Sequence, residues 1–334
     1  MKKYVLLVFG ILIIINCSST NKSQKAKGPY LGEKPPGRKA KIFAPGIISD
    51  GMNNRDIAIT PDGKEIYYCS SFGNFSYSKI FYVKQLDDGS WTAPEIAPFC
   101  SSGEYFDIEP FISHDGEKLY FMSTRPDIKK GETKGGDQDI WVVDRVGDSW
   151  GTPYNLGEPV SSSMEEYFPI LTNDGTIYFT RQKNGDPVGV IYRSKLVDGK
   201  YSEPEKLPEQ VNCGSNRFNA YVAPDESYVI VPAIWAENSL GGVDYYVTFR
   251  NDQDEWSEPI LIENSVSTES DREYSAALST DGKYLFFMSD RMEKRTEKLS
   301  YSDYEELFNS PGNGYTDIYW ISSEIIDELR PAAF

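Results

Sequence analysis

Asp62, Asp115, Asp174, Asp225 and Asp281 recur along this 334-residue chain, with chemically capable residues standing at fixed distances ahead of each. Eight residues upstream lie Asn54, Asp107, Glu166, Arg217 and Glu273; six upstream lie Asp56, Glu109, Phe168, Asn219 and Ser275. Positions two apart on a strand share a face, so repeated strands around an axis would gather both sets at its mouth. The product is a ring of carboxylates interleaved with Arg217, Arg55 and Arg272. Crowded carboxylates shift one another's pKa values, hold cations or divide acid and base work between them. The plainer reading is that they hydrogen-bond neighbouring blades. Asn54, Asp56, Asp107, Glu109, Glu166, Arg217 and Glu273 are the ligand-binding candidates, and a divalent cation is the one cofactor they suggest.

Other chemistries find little support. His114 is the single histidine and sits in a turn beside Asp115, which disfavours a Ser-His-Asp triad or a His-based metal site. There is no nucleophile elbow, P-loop or dinucleotide fingerprint. Cys69 falls in an apolar strand and reads as a buried thiol. Cys100 and Cys213 lie in connections, either as separate thiols or as a pair in an oxidising compartment.

The elements that must position these residues are hairpins. In residues 109–121 a half-apolar run, the turn Asp115-Gly116 and the run Leu119-Tyr120-Phe121 spell two antiparallel strands. Asp139-Ile140-Trp141 begins a third strand, and Trp150-Gly151-Thr152-Pro153 leads to a fourth. The phrase occurs five times, with Ile66-Tyr67-Tyr68, Ile177-Tyr178-Phe179, Tyr228-Val229-Ile230 and Leu285-Phe286-Phe287 in the equivalent second strands. Trp91, Trp150, Tyr201 and Trp256 each precede a proline by three residues, and lie 24, 24, 24 and 25 residues before the next Asp. Proline suits the start of an outermost strand. Four strands repeated five times describe an all-β, five-bladed propeller. The fifth blade lacks an outer strand after residues 317–321, and residues 41–47 supply one, closing the ring. Strand order places the short Asp-Gly turns on one face of the disc. The longer segments 126–138, 182–189, 234–243 and 292–316 fall on the other, where residues 296–308 are read as a short helix capping that face. Rigid scaffolds carry binding surfaces on such loops.

The phrases Asp115-Gly116 through Met122-Ser123-Thr124-Arg125, and Asp281-Gly282 through Met288-Ser289-Asp290-Arg291, each followed by an Asp-Ile-aromatic strand, resemble the WD-repeat-like propeller repeat of TolB-type proteins over residues 41–321. That resemblance implies a bacterial envelope location, protein contacts rather than a reaction, and six blades as the alternative to five. At the N-terminus a basic start, an apolar run over residues 4–15 and Ile14-Ile15-Asn16-Cys17 resemble a lipoprotein signal, the alternative being an ordinary secretory signal. It implies cleavage after residue 16, lipidation of Cys17 and, with Ser18 and Ser19 following, an outer-membrane anchor. Residues 17–40 then form a Ser-, Lys-, Gly- and Pro-rich tether, and residues 41–334 the propeller.

The mature chain would hold 32 Lys and Arg against 51 Asp and Glu, a net charge of −19. Such a chain repels phosphate backbones, and nucleic acid is not expected as a partner. The function expected is a non-catalytic protein- or glycan-binding module, touching the membrane only through its lipid. The alternative is a glycoside hydrolase similar to five-bladed arabinanase-like propellers, using Asp56, Asp107, Glu109 and Glu166.

Overall fold

Each recurring Asp closes its hairpin by the same local chemistry. The Asp115 carboxylate accepts from the Ser113 hydroxyl at 2.5 Å and the Glu117 amide at 3.0 Å. Asp62 does so with Thr60 and Lys64, Asp174 with Thr172 and Thr176, and Asp281 with Ser279 and Lys283. Gly63, Gly116, Gly175 and Gly282 follow at φ +70° to +86°, a left-handed turn in which a missing Cβ avoids strain. The fourth copy differs in kind. Ala223 brings no hydroxyl, and Glu226 stands at the glycine position with φ +60°. Its carboxylate offsets that strain by accepting from the Tyr178 hydroxyl and from Arg250, both at 2.6 Å.

The structure, a computed structural model, describes residues 26–334 apart from 74, 101, 102, 129, 130, 133, 264, 293 and 294; the expected signal sequence and Cys17 lie outside the described residues. Five antiparallel sheets follow one another around a ring. The first blade runs Asn53–Ile59, Glu65–Phe72, Tyr77–Lys84 and Glu95–Ile96 from axis to rim. The second runs Asp107–Ile112, Lys118–Ser123, Asp139–Val146 and Tyr154–Asn155. Glu165–Leu171, Ile177–Gln182, Gly189–Ser194 and Glu205–Lys206 form the third. In the fourth, an interrupted inner strand (Asn216–Arg217 and Tyr221–Val222) precedes Tyr228–Ile234, Asp244–Phe249 and Ile260–Leu261. Each outer strand along the chain is two residues long and begins directly after the proline of its repeat.

The fifth blade comprises Ala277–Leu278, Tyr284–Ser289, Asp317–Ser322 and the N-terminal strand Lys41–Ile42, so the ring closes with five blades as the repeats require. Lys41 pairs with Trp320 and Ile42 with Tyr319. The Phe43 amide then donates to the Ile318 carbonyl at 2.7 Å, and its fully buried ring meets Phe286 and Trp320 edge-on at about 5 Å. The segment before this strand is not the tether that its composition suggests. Leu31 is buried, Tyr30 packs on Tyr284 and Trp320, the Gly28 carbonyl accepts from the Trp91 indole at 2.8 Å, and Gly37 accepts from the Ser322 amide. Counting Ser, Lys and Gly hid the apolar anchor Tyr30-Leu31 within that run. From residue 26 onward the segment bridges the first and fifth blades.

The expected helix forms as Tyr301–Phe308, with a Ser300–Asp303 capping box. None of its side chains is buried, so it stands on the face rather than sealing it. Cys69, Cys100 and Cys213 are free thiols.

Candidate functional site at the propeller axis

The inner strands do not run straight past the axis. Asp56, Glu109, Phe168, Asn219 and Ser275, one from each blade, all hold left-handed φ values between +49° and +65°. In the first three blades the strand pairing slips at this point. A bulge breaks the two-residue alternation of a strand. Arg55 and Asp56, adjacent in sequence, therefore both join the axial cluster, and the residue at position 54 does not travel with position 56.

Glu109 is the hub. Its Oε1 accepts from Arg55 Nη2 at 2.6 Å and Asn219 Nδ2 at 3.1 Å, and its Oε2 from the Phe168 amide at 2.7 Å. Asn219 also donates to Ser275 Oγ at 3.0 Å, so one network joins all five blades. Arg55 Nε lies 2.8 Å from Asp56 Oδ2, off the line of its N–H, and neither Asp56 oxygen accepts a hydrogen bond from a nitrogen or hydroxyl. The Arg55 guanidinium lies 5.0 Å from the centre of the Tyr274 ring. Burial drives the Glu109 carboxyl up to about 7; Arg55 opposes the rise and Asp56 adds to it. Burial of that degree leaves two carboxylates and one guanidinium almost without water.

The set eight residues upstream has another use. Asp107 binds Arg125 at 2.5 Å, Lys79 at 2.8 Å and Ser123 at 2.7 Å. Glu166 binds Arg181 at 2.7 Å and the Ser162 hydroxyl and amide; Glu273 binds Arg291 at 2.8 Å, Ser289, and the hydroxyl and amide of Thr268. The three arginines also donate to carbonyls of the incoming connection: Phe99, Pro159 with Val160, and Ser265 with Val266. Each lies over two aromatic rings of its own blade at 4.7–5.4 Å. Asn54 instead bonds Ser70 and the Asp50 amide, and Arg217 donates to the carbonyls of Cys213, Gly214 and Gly189. These residues stitch each inner strand to the loop that arrives from the blade before it. Among the described residues no group of three or more His, Cys, Asp or Glu could hold a metal ion.

Above the cluster, a cavity of about 150 Å³ is walled by Arg55, Phe75, Phe106, Ile108 and Tyr274. Further out, a larger one of about 570 Å³ lies between the first and fifth blades, lined by Asp50, Met52, Asn53, Phe72, Arg272, Phe308 and Tyr315. All seven strongly exposed aromatics among the described residues stand on this loop-rich face, in second-to-third-strand loops or at their edges. They are Phe72 and Tyr77 in the first blade, Trp235 in the fourth, and Tyr301, Tyr304, Phe308 and Tyr315 in the fifth. Phe72 and Tyr77 stack at 4.8 Å. The opposite face exposes aliphatic turn residues such as Val146 and Val197.

The chain is similar in fold to several solved propellers. TolB from Acinetobacter baumannii aligns with a TM-score of 0.44 and 16% identity over 82% of this chain; the alignment spans 55% of the length of that TolB. The catalytic domain of Coprinopsis cinerea GH62 alpha-L-arabinofuranosidase aligns at 0.47 and 11% identity, over 89% of this chain and 97% of that one. The alpha-L-arabinofuranosidase PaAbf62A from Podospora anserina, in complex with cellotriose, gives 0.46 and 12%, over 89% and 96%. Likeness this distant concerns the fold alone, and the five-bladed propeller agrees with the TolB-type repeats read in the sequence. No protein-family model matches the chain, and no curated protein matches it.

Sequence reasoning thus brought Asp56 and Glu109 to one place, together with Asn219 and Ser275. It passed over Tyr274, Phe218 and Tyr167, which occupy the position seven residues upstream of the repeating Asp; the signal was their aromatic character at that fixed position. The S-x-R phrase that ends the second strand (Ser123 and Arg125, Ser289 and Arg291) was visible as part of the repeat, but its pairing with Asp107 and Glu273 is a tertiary fact.

Proposed function

We propose that this chain is a non-catalytic binding module of the bacterial cell envelope, lipid-anchored at Cys17 in the outer membrane and engaging a protein or a glycan through its loop-rich face. The observation that carries this reading is the confinement of all seven strongly exposed aromatics among the described residues to that face, three of them (Phe72, Phe308 and Tyr315) lining its larger cavity with Arg272. Loops lengthened without selection would be polar; exposed Trp, Tyr and Arg are the side chains that anchor interfaces and stack on sugar rings. The ion-paired, fully buried Asp107 and Glu166 also support binding over catalysis, since neither presents a free carboxylate to a substrate.

A hydrolytic reading retains one favourable observation: Glu109, raised to about 7 beside Asp56, has the acidity of a general acid at neutral pH. One experiment separates the two. Envelope proteins and oligosaccharide pools are offered to the wild type, to Phe308→Ala/Tyr315→Ala and to the plain-face control Val197→Glu. Binding should fall about tenfold or more in the aromatic variant, the size of a lost interface anchor, and persist in the control. Equal retention by all three would refute the assignment to this face, and sugar release abolished by Glu109→Gln would establish the hydrolase instead.

A further inference from the structure

Below the axial cluster, on the side of the Asp-Gly turns, a separate cavity of about 110 Å³ follows the inner strands toward the opposite face of the disc. Its walls are mainly apolar, formed by Ile57, Ile59, Phe111, Phe168, Ile170 and Leu278, with Ser279 among them. At the inner end stands Asp56; at the outer end are His114 and Thr280, both exposed. Asp56 is 4% exposed and neither of its oxygens accepts a hydrogen bond from a nitrogen or hydroxyl, the Cys69 thiol being the weak donor within reach. Its one ion-pair partner, Arg55, is shared with Glu109 and meets Asp56 off-axis. The buried cluster therefore shares one guanidinium between two carboxyl groups, and Asp56, the one with fewer hydrogen bonds, borders the mainly apolar cavity. Buried charge is retained where a partner completes it.

We propose that this cavity binds a primary alkylammonium group, the nitrogen at Asp56 and the carbon chain along the apolar walls. An alkali or divalent cation would need several oxygen ligands, and Asp56 is the one carboxylate in the lining, where the polar side chains of Ser279, Thr280 and His114 stand at the turn end. A cavity of ~150 Å³ admits benzene; the smaller volume here suits an unbranched chain of about four carbons, the length of a lysine side chain. The –NH3+ group supplies the hydrogen bonds that both Asp56 oxygens lack. This site lies across the disc from the aromatic face and does not depend on what binds there.

The test is calorimetric titration of the full chain with n-butylammonium, with Nα-acetyl-lysine methylamide, and with n-butanol, which has the same chain and no charge. Saturable binding of either amine and none of n-butanol is the expected result; binding of the lysine derivative would identify a protein side chain as an acceptable source, and binding of butylammonium alone a free amine. Asp56→Asn should weaken the amine by about tenfold or more, as loss of a charge-assisted bond does. Thr280→Trp, an exposed change at the mouth that leaves the cluster untouched, should block entry, and decides the matter if Asp56→Asn does not fold. No saturable amine binding, equal binding of n-butanol, or unchanged binding in Thr280→Trp would overturn the proposal.

Discussion

Glu109 receives hydrogen bonds from the first, third and fourth blades while belonging to the second. A carboxyl raised in the folded state takes up protons that the unfolded chain, near 4.5, does not. Stability must then fall as pH rises through the window from about 4.5 to about 7. Glu109→Gln removes that contribution. Relative to the variant, the wild type should lose stability across this window, as read by denaturant unfolding at each pH; parallel profiles would show that Glu109 stays ionised throughout. Position 109 was legible in the sequence as a carboxylate near the axis, yet its company was not. Strict alternation pairs residue 54 with 56, whereas the left-handed bulge pairs 55 with 56. No glycine marks it, because Asp, Glu, Phe, Asn and Ser occupy the five positions.

At the scale of the strand and its loops, the recurring device is an arginine that pairs with a buried carboxylate, caps carbonyls of the incoming connection and lies over two rings. Arg181 and Glu166 are the clearest case, with side chains 13% and 0% exposed. Arg181→Ala leaves Glu166 charged in a dry site, and should lower unfolding free energy by about 3–5 kcal/mol. The double variant Arg181→Met/Glu166→Gln should recover most of it, because no unpaired charge is left. A single-variant loss below about 1 kcal/mol, the level of an exposed pair, would show the bridge to be solvent-screened. The hairpins were legible because their chemistry is local: a Ser or Thr, an Asp two residues on, and a glycine suffice. The arginine bridges were hidden because carboxylate and arginine stand 15 to 18 residues apart on neighbouring strands of one blade, and nothing in a 10-residue window names the partner. Loop positions were legible from length, while their concentration of exposed aromatics needed the burial of every other ring to stand out.

The ring as a whole depends on a short seam. Two residue pairs, Lys41 with Trp320 and Ile42 with Tyr319, close it, and Phe43 plugs the space behind them. Phe43→Ala should cost about 3–5 kcal/mol as a large buried aromatic is lost, seen as a lower denaturant midpoint without change of slope. A loss below about 1 kcal/mol would mean that the seam contributes little. Closure was legible because the last repeat lacked a rim strand and the chain offered one at its beginning. The contribution of residues 26–37 was missed because composition averages over Tyr30 and Leu31, which carry the packing.

That seam also sets an order of events during synthesis. Residues 41–43 leave the ribosome long before Asp317–Ser322 exists, so four sheets can assemble while the first-made segment waits without a mate. Until translation ends, the emerging polypeptide shows water the rings of Phe43 and Tyr30, and such unpaired edges favour wrong associations. Chaperone demand should therefore peak late, and a transcript truncated shortly before codon 317 should yield an aggregating product rather than a smaller folded one.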